Sequence, residues 1–170
     1  EKVKEAHGLK NKFVIVTVGR HQPRKMIYHT ANAVGRFLQN NKDAVWICKT
    51  DPRDRAMEKS KEEERDLEKL MNGYGVMDRV LFVPNALPTD QLNDLYNTGD
   101  IFIHLSGGEG FGIPYVESML AGTPCILNDN TTSPELTGGW KFGLPVSIQE
   151  KRFVEGFNCN FDIGNLDEAV

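Results

Sequence analysis

The sequence has 170 residues, of which 39% are hydrophobic and 26% are charged, so it is long enough for one globular domain with its own apolar core. Its net charge of −4 argues against nucleic acid as a partner, because proteins that bind the phosphate backbone usually carry a basic excess. No apolar run approaches the roughly 18 residues of a membrane span, and the charged N-terminus lacks the apolar core of a signal peptide, so membrane contact is not indicated.

Residues 1–12 are polar and predict a linker that leads into the first strand. Residues 165–170, at the other end, begin like a capped helix that stops after one turn. We therefore expect a fragment of a larger protein, in which residues 1–170 form a single domain.

Between these ends, apolar segments of strand length alternate with segments of helix length. Strands are predicted at residues 13–18, 44–48, 80–83, 101–103 and 125–127, and helices at about 26–40, 58–72, 89–98 and 114–121. The strand segments are continuously apolar, as expected when helices cover both faces of a parallel sheet. The alternation predicts an α/β fold with a doubly wound parallel sheet.

The three cysteines, Cys48, Cys125 and Cys159, are widely spaced. Cys48 and Cys125 lie inside apolar, strand-like segments, which indicates buried free thiols rather than a disulfide or a metal site. Because free thiols are typical of a reducing compartment, we expect a cytoplasmic location.

The segment at residues 107–114, GGEGFGIP, combines a glycine-rich loop with a helix start. Backbone amides at such a start can bind an anion, and the helix dipole favours negative charge there. Glu109 in the loop and Glu117 about one turn into the helix would repel a bare phosphate, but carboxylates accept hydrogen bonds from sugar diols. The segment therefore predicts a site for a sugar that is joined to phosphate.

A second group of candidates follows the first predicted strand, where Gly19 and Arg20 are followed by Lys25. Arginine can bind two phosphate oxygens at once, and lysine adds a mobile point charge. Taken alone, the group fits a basic surface loop better than a site. Because ligands of an open α/β sheet bind beyond the carboxyl ends of its strands, we expect this loop and the glycine-rich loop to meet in one cleft.

The segment at residues 108–124, GEGFGIPYVESMLAGTP, resembles the signature of glycosyltransferase family 4, the group 1 transferases of the GT-B fold. Residues 18–20 with Lys25 are similar to the arginine and lysine with which that family contacts phosphate, and residues 133–136 resemble its PEL element. The resemblance runs from about residue 9 to the C-terminus. It implies the Rossmann-like, C-terminal, donor-binding half of such an enzyme, without the N-terminal acceptor domain.

The resemblance implies a role for each matching position. Arg20 and Lys25, after Gly19, would neutralise the diphosphate of a nucleotide-sugar donor. Glu109 would hold hydroxyl groups of the transferred sugar and steady its positive charge, and Glu117 would hold the hydroxyl groups of the ribose. Arg20, Lys25 and Glu109 are thus the predicted catalytic residues.

Backbone groups complete the predicted donor site. The amides that would face the sugar and the distal phosphate belong to Gly110, Phe111, Gly112 and Ile113. The base of the nucleotide would lie against the backbone of Asn85, Ala86 and Leu87, which follow the third predicted strand.

Members of this family transfer a sugar with retention of anomeric configuration, generally without a metal. The sequence agrees with metal independence, since it has no DxD motif at a strand end and its four histidines are dispersed. We therefore expect no cofactor and a UDP- or GDP-sugar as the donor. The acceptor, whether glycan, lipid or protein, would bind the missing N-terminal domain, so the fragment alone would turn over little or no donor.

This chain departs from the family pattern at Met26, where glycine is common, and at residues 104–106, where His-Leu-Ser replaces the common Pro-Ser. Neither change removes a charged contact, but both could alter the loops and the choice of donor.

Two other functions remain open: a nucleotide-sugar epimerase of similar two-domain build, against which the glycine-rich signature speaks, and a module that binds a nucleotide sugar without transferring it. An oxidoreductase is disfavoured, because residues 19–21 do not form a GxGxxG dinucleotide turn.

Overall fold

The computed structural model describes residues 2–58, 60, 61, 64 and 66–170. Its helices are α1 (Lys2–Ala6), α2 (Ile27–Asn40), α3 (Leu67–Gly73), α4 (Thr89–Thr98), α5 (Ile113–Leu120) and α6 (Ser133–Leu136). Its strands are β1 (Phe13–Val18), β2 (Ala44–Lys49), β3 (Val80–Phe82), β4 (Ile101–His104), β5 (Cys125–Asn128), β6 (Gly143–Val146), β7 (Ile148–Val154) and β8 (Cys159–Gly164). Short 3-10 helices lie at Pro23–Lys25, Arg55–Met57, Met77–Arg79 and Glu155–Phe157.

Six of these strands form one sheet in the order β3-β2-β1-β4-β5-β6, and every neighbouring pair is parallel. The register places Val16 of β1 between Ile47 of β2 and Phe102 of β4. The predicted doubly wound parallel sheet is therefore confirmed. The strand order reverses between β1 and β4, and such a switch point opens a crevice at the carboxyl ends of the two strands.

The central strand β1 is buried on both faces, because helices cover each side of the sheet. Ile15 belongs to one apolar core with residues of α2 and α3, whereas Val14 and Val16 belong to a second core with residues of α4 and α5. A strand buried on both faces favours apolar side chains on each of them, which explains the run, interrupted only by Thr17, from which β1 is predicted.

Beyond the predicted elements, the chain adds β6 and an antiparallel hairpin of β7 and β8. The sequence pattern does not indicate this hairpin, because β7 is mostly exposed and carries charged residues in place of an apolar face. Its second strand packs against the glycine-rich loop. The amide of Asp162 donates to the carbonyl of Gly107 over 3.0 Å, and Phe161 is buried beside Gly107. The hairpin therefore supports that loop.

The predicted linker at residues 1–12 is wrong in its first part, which forms α1. Lys4 of this helix donates to the carbonyl of Lys12 over 3.0 Å and also pairs with the carboxylate of Asp100. The helix is thus fixed by polar contacts and by packing on α4, which a search for apolar periodicity does not detect.

The predicted helix at residues 58–72 is observed only as α3, and residues 59, 62, 63 and 65 lie outside the described part. Asp66 begins α3, because its side chain accepts a hydrogen bond from the amide of Lys69 over 3.0 Å. At the other end of the chain, residues 166–168 form a turn in place of the predicted helix, although Asn165 accepts from the amide of Asp167 as a cap would.

All three thiols are free, and Cys48 and Cys125 are buried as predicted, whereas Cys159 is exposed. Burial raises the pKa of the Cys125 thiol to about 11, which keeps it protonated at neutral pH. Across the described ranges, none of the helices has the length and hydropathy needed to cross a bilayer.

Candidate functional site

Two loops meet at the switch point of the sheet: residues 19–26 after β1 and residues 105–112 after β4. The backbone carbonyl of Arg24 accepts two hydrogen bonds from the second loop. One comes from the amide of Gly107 over 3.0 Å and the other from the hydroxyl of Ser106 over 3.2 Å. The structure thus brings together the two groups of candidates that the sequence places 80 or more positions apart.

Glu109 lies at the centre of this junction, and its side chain is only 5% exposed. The ammonium of Lys25 lies 2.7 Å from each of its carboxylate oxygens, and the guanidinium of Arg24 donates to one of them over 3.0 Å. Burial opposes ionisation, but the hydrogen bond from Lys25, the electrostatic effect of His104 and the hydrogen bonds from Ser106 and Arg24 outweigh it and lower the pKa of Glu109 below its usual value. Glu109 is therefore an ionised carboxylate held in a fixed orientation.

Arg24 is a site residue that sequence reasoning missed. Its guanidinium also donates to the carbonyl of Gly108, so it joins the loop after β1 to the glycine-rich loop. The sequence shows it only as one more cation in a basic loop, where Lys25 next to it matches the family pattern.

The start of α5 leaves a run of backbone donors without acceptors in the described part of the protein. Gly112 precedes the helix with φ +90°, a left-handed conformation that favours glycine, and a Cβ there would lie 2.6 Å from the ring of Tyr115. Among the described residues, none accepts a hydrogen bond from the four consecutive amides before and at the helix start, those of Gly110, Phe111, Gly112 and Ile113. These amides can therefore bind a ligand oxygen.

The second predicted carboxylate, Glu117, lies half-buried on α5. It accepts a hydrogen bond from the hydroxyl of Tyr96, a buried residue of α4, over 2.8 Å. Burial, together with this hydrogen bond, raises the pKa of Tyr96, so its hydroxyl keeps the proton that it donates. Tyr96 was not among the predicted residues, because its sequence position fits a core residue of an amphipathic helix.

Arg20 lies on the same loop as Lys25 but pairs with a different carboxylate. Its guanidinium donates to both oxygens of Asp54, over 2.7 and 3.1 Å, and its side chain is 64% exposed whereas that of Asp54 is 13% exposed. The hydrogen bond from Arg20 lowers the pKa of Asp54 and keeps it ionised. Contact of Arg20 with a diphosphate stays a prediction. For that contact, the exposed guanidinium would bind the diphosphate either while it is still paired with Asp54 or after leaving Asp54.

The predicted base-binding residues follow β3. Asn85 and Ala86 are exposed, and Leu87 is half-buried in the wall of a groove of about 710 Å³ beside α4, which Val83 and Leu95 also line. The position of a base in this region stays a prediction.

A threonine pair after β5 supports the glycine-rich loop. The amide of Glu109 donates to the hydroxyl of Thr131 over 3.1 Å, and the hydroxyl of Thr132 donates to the carbonyl of Phe111 over 2.9 Å. No feature of the sequence singled out these residues, because threonines in a loop are common.

The backbone at Met26, which departs from the family pattern, has the conformation that the more common glycine would adopt. It has φ +49°, in the left-handed region that favours the glycine common at this position. The methionine keeps the same backbone conformation, and its sulphur lies close to Gly107 in the glycine-rich loop. The bend after Lys25 is therefore retained, with an added contact between the loops.

Histidine is the commonest metal ligand in proteins, so the places of the four histidines bear on metal binding. His21, next to Arg20, is fully buried, as is His104 at the end of β4. In the part of the chain that the structure describes, no three side chains of His, Cys, Asp or Glu lie close enough together to hold a metal ion. Metal independence stays a prediction.

Known proteins are similar to this chain in sequence and in fold. The model of a family described as "Glycosyl transferases group 1" matches residues 1–158. The serotype-specific mannosyltransferase WbdA of Escherichia coli is 27% identical over 159 residues, a match that covers 91% of this chain and 18% of that protein. The O-antigen chain mannosyltransferase B of Escherichia coli is 36% identical over 52 residues, 31% of this chain and 14% of that protein. The chain thus spans less than a fifth of the length of these relatives.

Solved structures share the fold. HepE of Anabaena, crystallised with UDP and glucose, superposes with a TM-score of 0.70 at 22% identity, covering 88% of this chain and 38% of that one. WaaG, a glycosyltransferase involved in lipopolysaccharide biosynthesis, superposes with a TM-score of 0.71 at 15% identity. The match covers 99% of this chain and 39% of that one. The C-terminal domain of the group 1 protein LpcC of Francisella tularensis gives 0.70 at 21% identity, covering 88% and 74%. The predicted Rossmann-like fold is confirmed.

Proposed function

Because this chain belongs to the group 1 glycosyl transferases, we propose that it is the donor-binding domain of an enzyme that moves a hexosyl group from a nucleotide diphosphate sugar to an acceptor. The observation that carries the proposal is the junction at the sheet's switch point. There, an ordered carboxylate with two cationic partners lies in the glycine-rich loop, directly before four backbone amides that have no protein acceptors among the described residues.

The diphosphate is assigned to Lys25, Arg20 and the amides at the start of α5. An ammonium has three hydrogen-bond donors, and Lys25 directs its donors at the two oxygens of Glu109 while keeping capacity for a phosphate oxygen. Negative charge grows on the oxygen that bridges sugar and phosphate as the bond breaks. Fixed cations and amides beside that oxygen would therefore stabilise the transition state more than the bound donor.

The two carboxylates are assigned to the two sugar rings. Glu109, oriented by Lys25 and Arg24, would accept from hydroxyl groups of the transferred hexose and stabilise its positive charge. Glu117, oriented by Tyr96, would accept from the ribose hydroxyls. Because the first carboxylate precedes α5 and the second lies within it, they can hold two parts of one extended ligand.

The names of the relatives support a mannosyl or glucosyl donor. The Escherichia coli relatives are mannosyltransferases, and the Anabaena structure was crystallised with UDP and glucose. Retention of configuration, metal independence and an acceptor site on a separate N-terminal domain are part of the proposal by resemblance to the family. The acceptor would be a glycan, a lipid or a protein.

Calorimetric titration of the chain with UDP, GDP and ADP, followed by the matching sugar nucleotides, tests this function. We expect saturable binding of one nucleotide diphosphate, and tighter binding when the preferred sugar is attached. No binding of any of the three would contradict the proposal. Transfer by the enzyme with its acceptor domain would separate a transferase from a binding module, and isomerised sugar released without an acceptor would indicate an epimerase.

A further inference from the structure

His104, the last residue of β4, lies beneath the junction of the two loops and is fully buried. Its Nε2 atom lies 3.0 Å from the backbone carbonyl oxygen of Lys25. A Cβ added to Gly19 would lie 3.0 Å from its Cε1 atom, so the ring also packs directly under the end of β1. One side chain thus contacts both ends of the loop that carries the cations of the site.

The contact with Lys25 fixes the state of the ring. A carbonyl oxygen can only accept, so Nε2 carries the proton and Nδ1 has the free electron pair. Burial lowers the pKa of His104 to about 4, and the ring is therefore neutral near neutral pH. The Nε2–H group donates to Lys25 permanently under these conditions.

Packing alone does not explain a histidine here. Its ring has edge-on neighbours in Phe102 and Tyr115, with centroids 6.2 and 5.7 Å away, an environment that an apolar ring would fill. Among the described residues, none bonds the buried Nδ1 atom, so the histidine carries a desolvation cost that an apolar ring would avoid. What the histidine adds over such a ring is the donor to Lys25.

We propose that His104 is a positioning residue, whose hydrogen bond to the Lys25 carbonyl holds the Lys25 ammonium against Glu109 and toward the phosphates of the donor. The proposal deepens the proposed function and rests on it for the phosphate contact. The left-handed backbone of Met26 follows the same carbonyl, so this bond also fixes the point at which the loop bends into α2.

The variants His104→Phe and His104→Gln form a matched pair for the test. Phenylalanine keeps an aromatic ring but has no donor, whereas the amide nitrogen of glutamine can reach the Lys25 carbonyl in place of Nε2. Affinities for UDP, GDP and the nucleosides uridine and guanosine are measured by calorimetry, with melting temperatures as a check of folding. We expect His104→Phe to weaken binding of the preferred nucleotide diphosphate about tenfold and to leave the affinity for the nucleoside unchanged. His104→Gln should recover most of the lost affinity for the diphosphate.

A measurement without ligand keeps the two proposals distinguishable. Nuclear magnetic resonance titration of the Glu109 carboxyl reports the hydrogen bond from Lys25 together with the direct electrostatic effect of His104, which both variants remove. We expect the pKa of Glu109 to rise in His104→Phe and to return most of the way in His104→Gln, because only the second variant keeps the donor to Lys25. An unchanged Glu109 titration in folded His104→Phe, or an equal loss of nucleoside and diphosphate affinity, would overturn the role of His104. Failure of the wild-type chain to bind any nucleotide would instead overturn the proposed function.

Discussion

The ammonium of Lys25 lies 2.7 Å from both carboxylate oxygens of Glu109, which comes 84 positions later in the chain. Their side chains are 14% and 5% exposed, so the pair is largely shielded from water. Burial of such a pair costs desolvation free energy, and removal of either partner leaves the other as an uncompensated buried charge. The pair ties the loop after β1 to the glycine-rich loop at the point where a donor would enter.

Replacing Lys25 with methionine should leave the Glu109 carboxylate with Arg24 as its cationic partner. We expect the free energy of unfolding to fall by about 1–3 kcal/mol and the affinity for the nucleotide diphosphate to fall at least tenfold. Chemical denaturation and calorimetry measure the two effects. The control is Lys12→Met, which breaks an exposed pair with Asp43 and should change neither by much. Equal effects of the two substitutions would contradict the role given to Lys25.

Arg20→Ala should weaken nucleotide diphosphate binding at least tenfold, since a charge-assisted hydrogen bond to phosphate contributes about 1.5–3 kcal/mol. Arg53→Ala is a matched control, because Arg53 is also 64% exposed and pairs with a carboxylate, that of Glu68. A titration in which both variants bind like the wild-type chain would remove Arg20 from the site.

Tyr96→Phe removes the hydroxyl that orients Glu117 and leaves the packing of the ring intact. We expect about a tenfold loss of affinity for UDP or GDP, because a hydrogen bond to a carboxylate is lost. The loss should be smaller for the 2′-deoxy nucleotide, since it lacks one of the two hydroxyls that Glu117 would hold. Tyr74→Phe, which loses a hydroxyl bonded to Asn32, is the control. A loss of the same size for the deoxy nucleotide would place the ribose elsewhere.

Gly112→Ala should destabilise the start of α5, because its φ of +90° disfavours a side chain and the new Cβ would lie 2.6 Å from Tyr115. We expect a loss of about 1–3 kcal/mol in the free energy of unfolding. Gly110→Ala is the matched change within the same loop, since its Cβ would meet no atom within 4 Å. Thermal melting curves measure the difference, and equal melting temperatures of the two variants would contradict the prediction.

Folding stability should fall in weak acid because of His104. Its pKa is about 4 in the folded protein and near 6.5 when exposed, so the unfolded chain takes up a proton that the folded chain does not. The stability that depends on a neutral His104 is therefore complete above pH 6.5 and is lost as the pH falls toward 4. The free energy of unfolding changes by about 3 kcal/mol over this range. In denaturation measurements across this range, wild-type protein should therefore lose about 3 kcal/mol of unfolding free energy relative to His104→Gln, which has no group that titrates at this position. Parallel curves would show that the ring is not buried as a neutral group.

The sheet could be predicted from sequence because its strands are buried on both faces. Nearly continuous apolar runs such as Phe13–Val18 are typical of covered parallel strands, and right-handed crossovers then restrict the strand order. The hairpin of β7 and β8 lacks this signal, since β7 exposes most of its side chains. Its position depends on contacts with Gly107, which only the folded chain reveals.

The candidate site was predicted unevenly for a similar reason. Lys25, Glu109 and Glu117 stand in a family pattern, so their positions could be read directly. Arg24 and Tyr96 contact carboxylates that lie far from them in the sequence. A basic loop or an amphipathic helix does not indicate which of its side chains will make such a contact. The contact of Arg20 with Asp54 could not be foreseen either, because it joins the loops after β1 and β2.

A nuclear magnetic resonance titration of the ¹⁵N-labelled chain with UDP and GDP tests most directly whether this crevice binds a nucleotide diphosphate. We expect saturable shifts for one nucleotide, largest for the amides of Gly110, Phe111, Gly112 and Ile113, and reduced by Lys25→Met. Shifts confined to another surface, such as the groove beside Leu87, or no shift of these four amides with either nucleotide, would contradict the assignment.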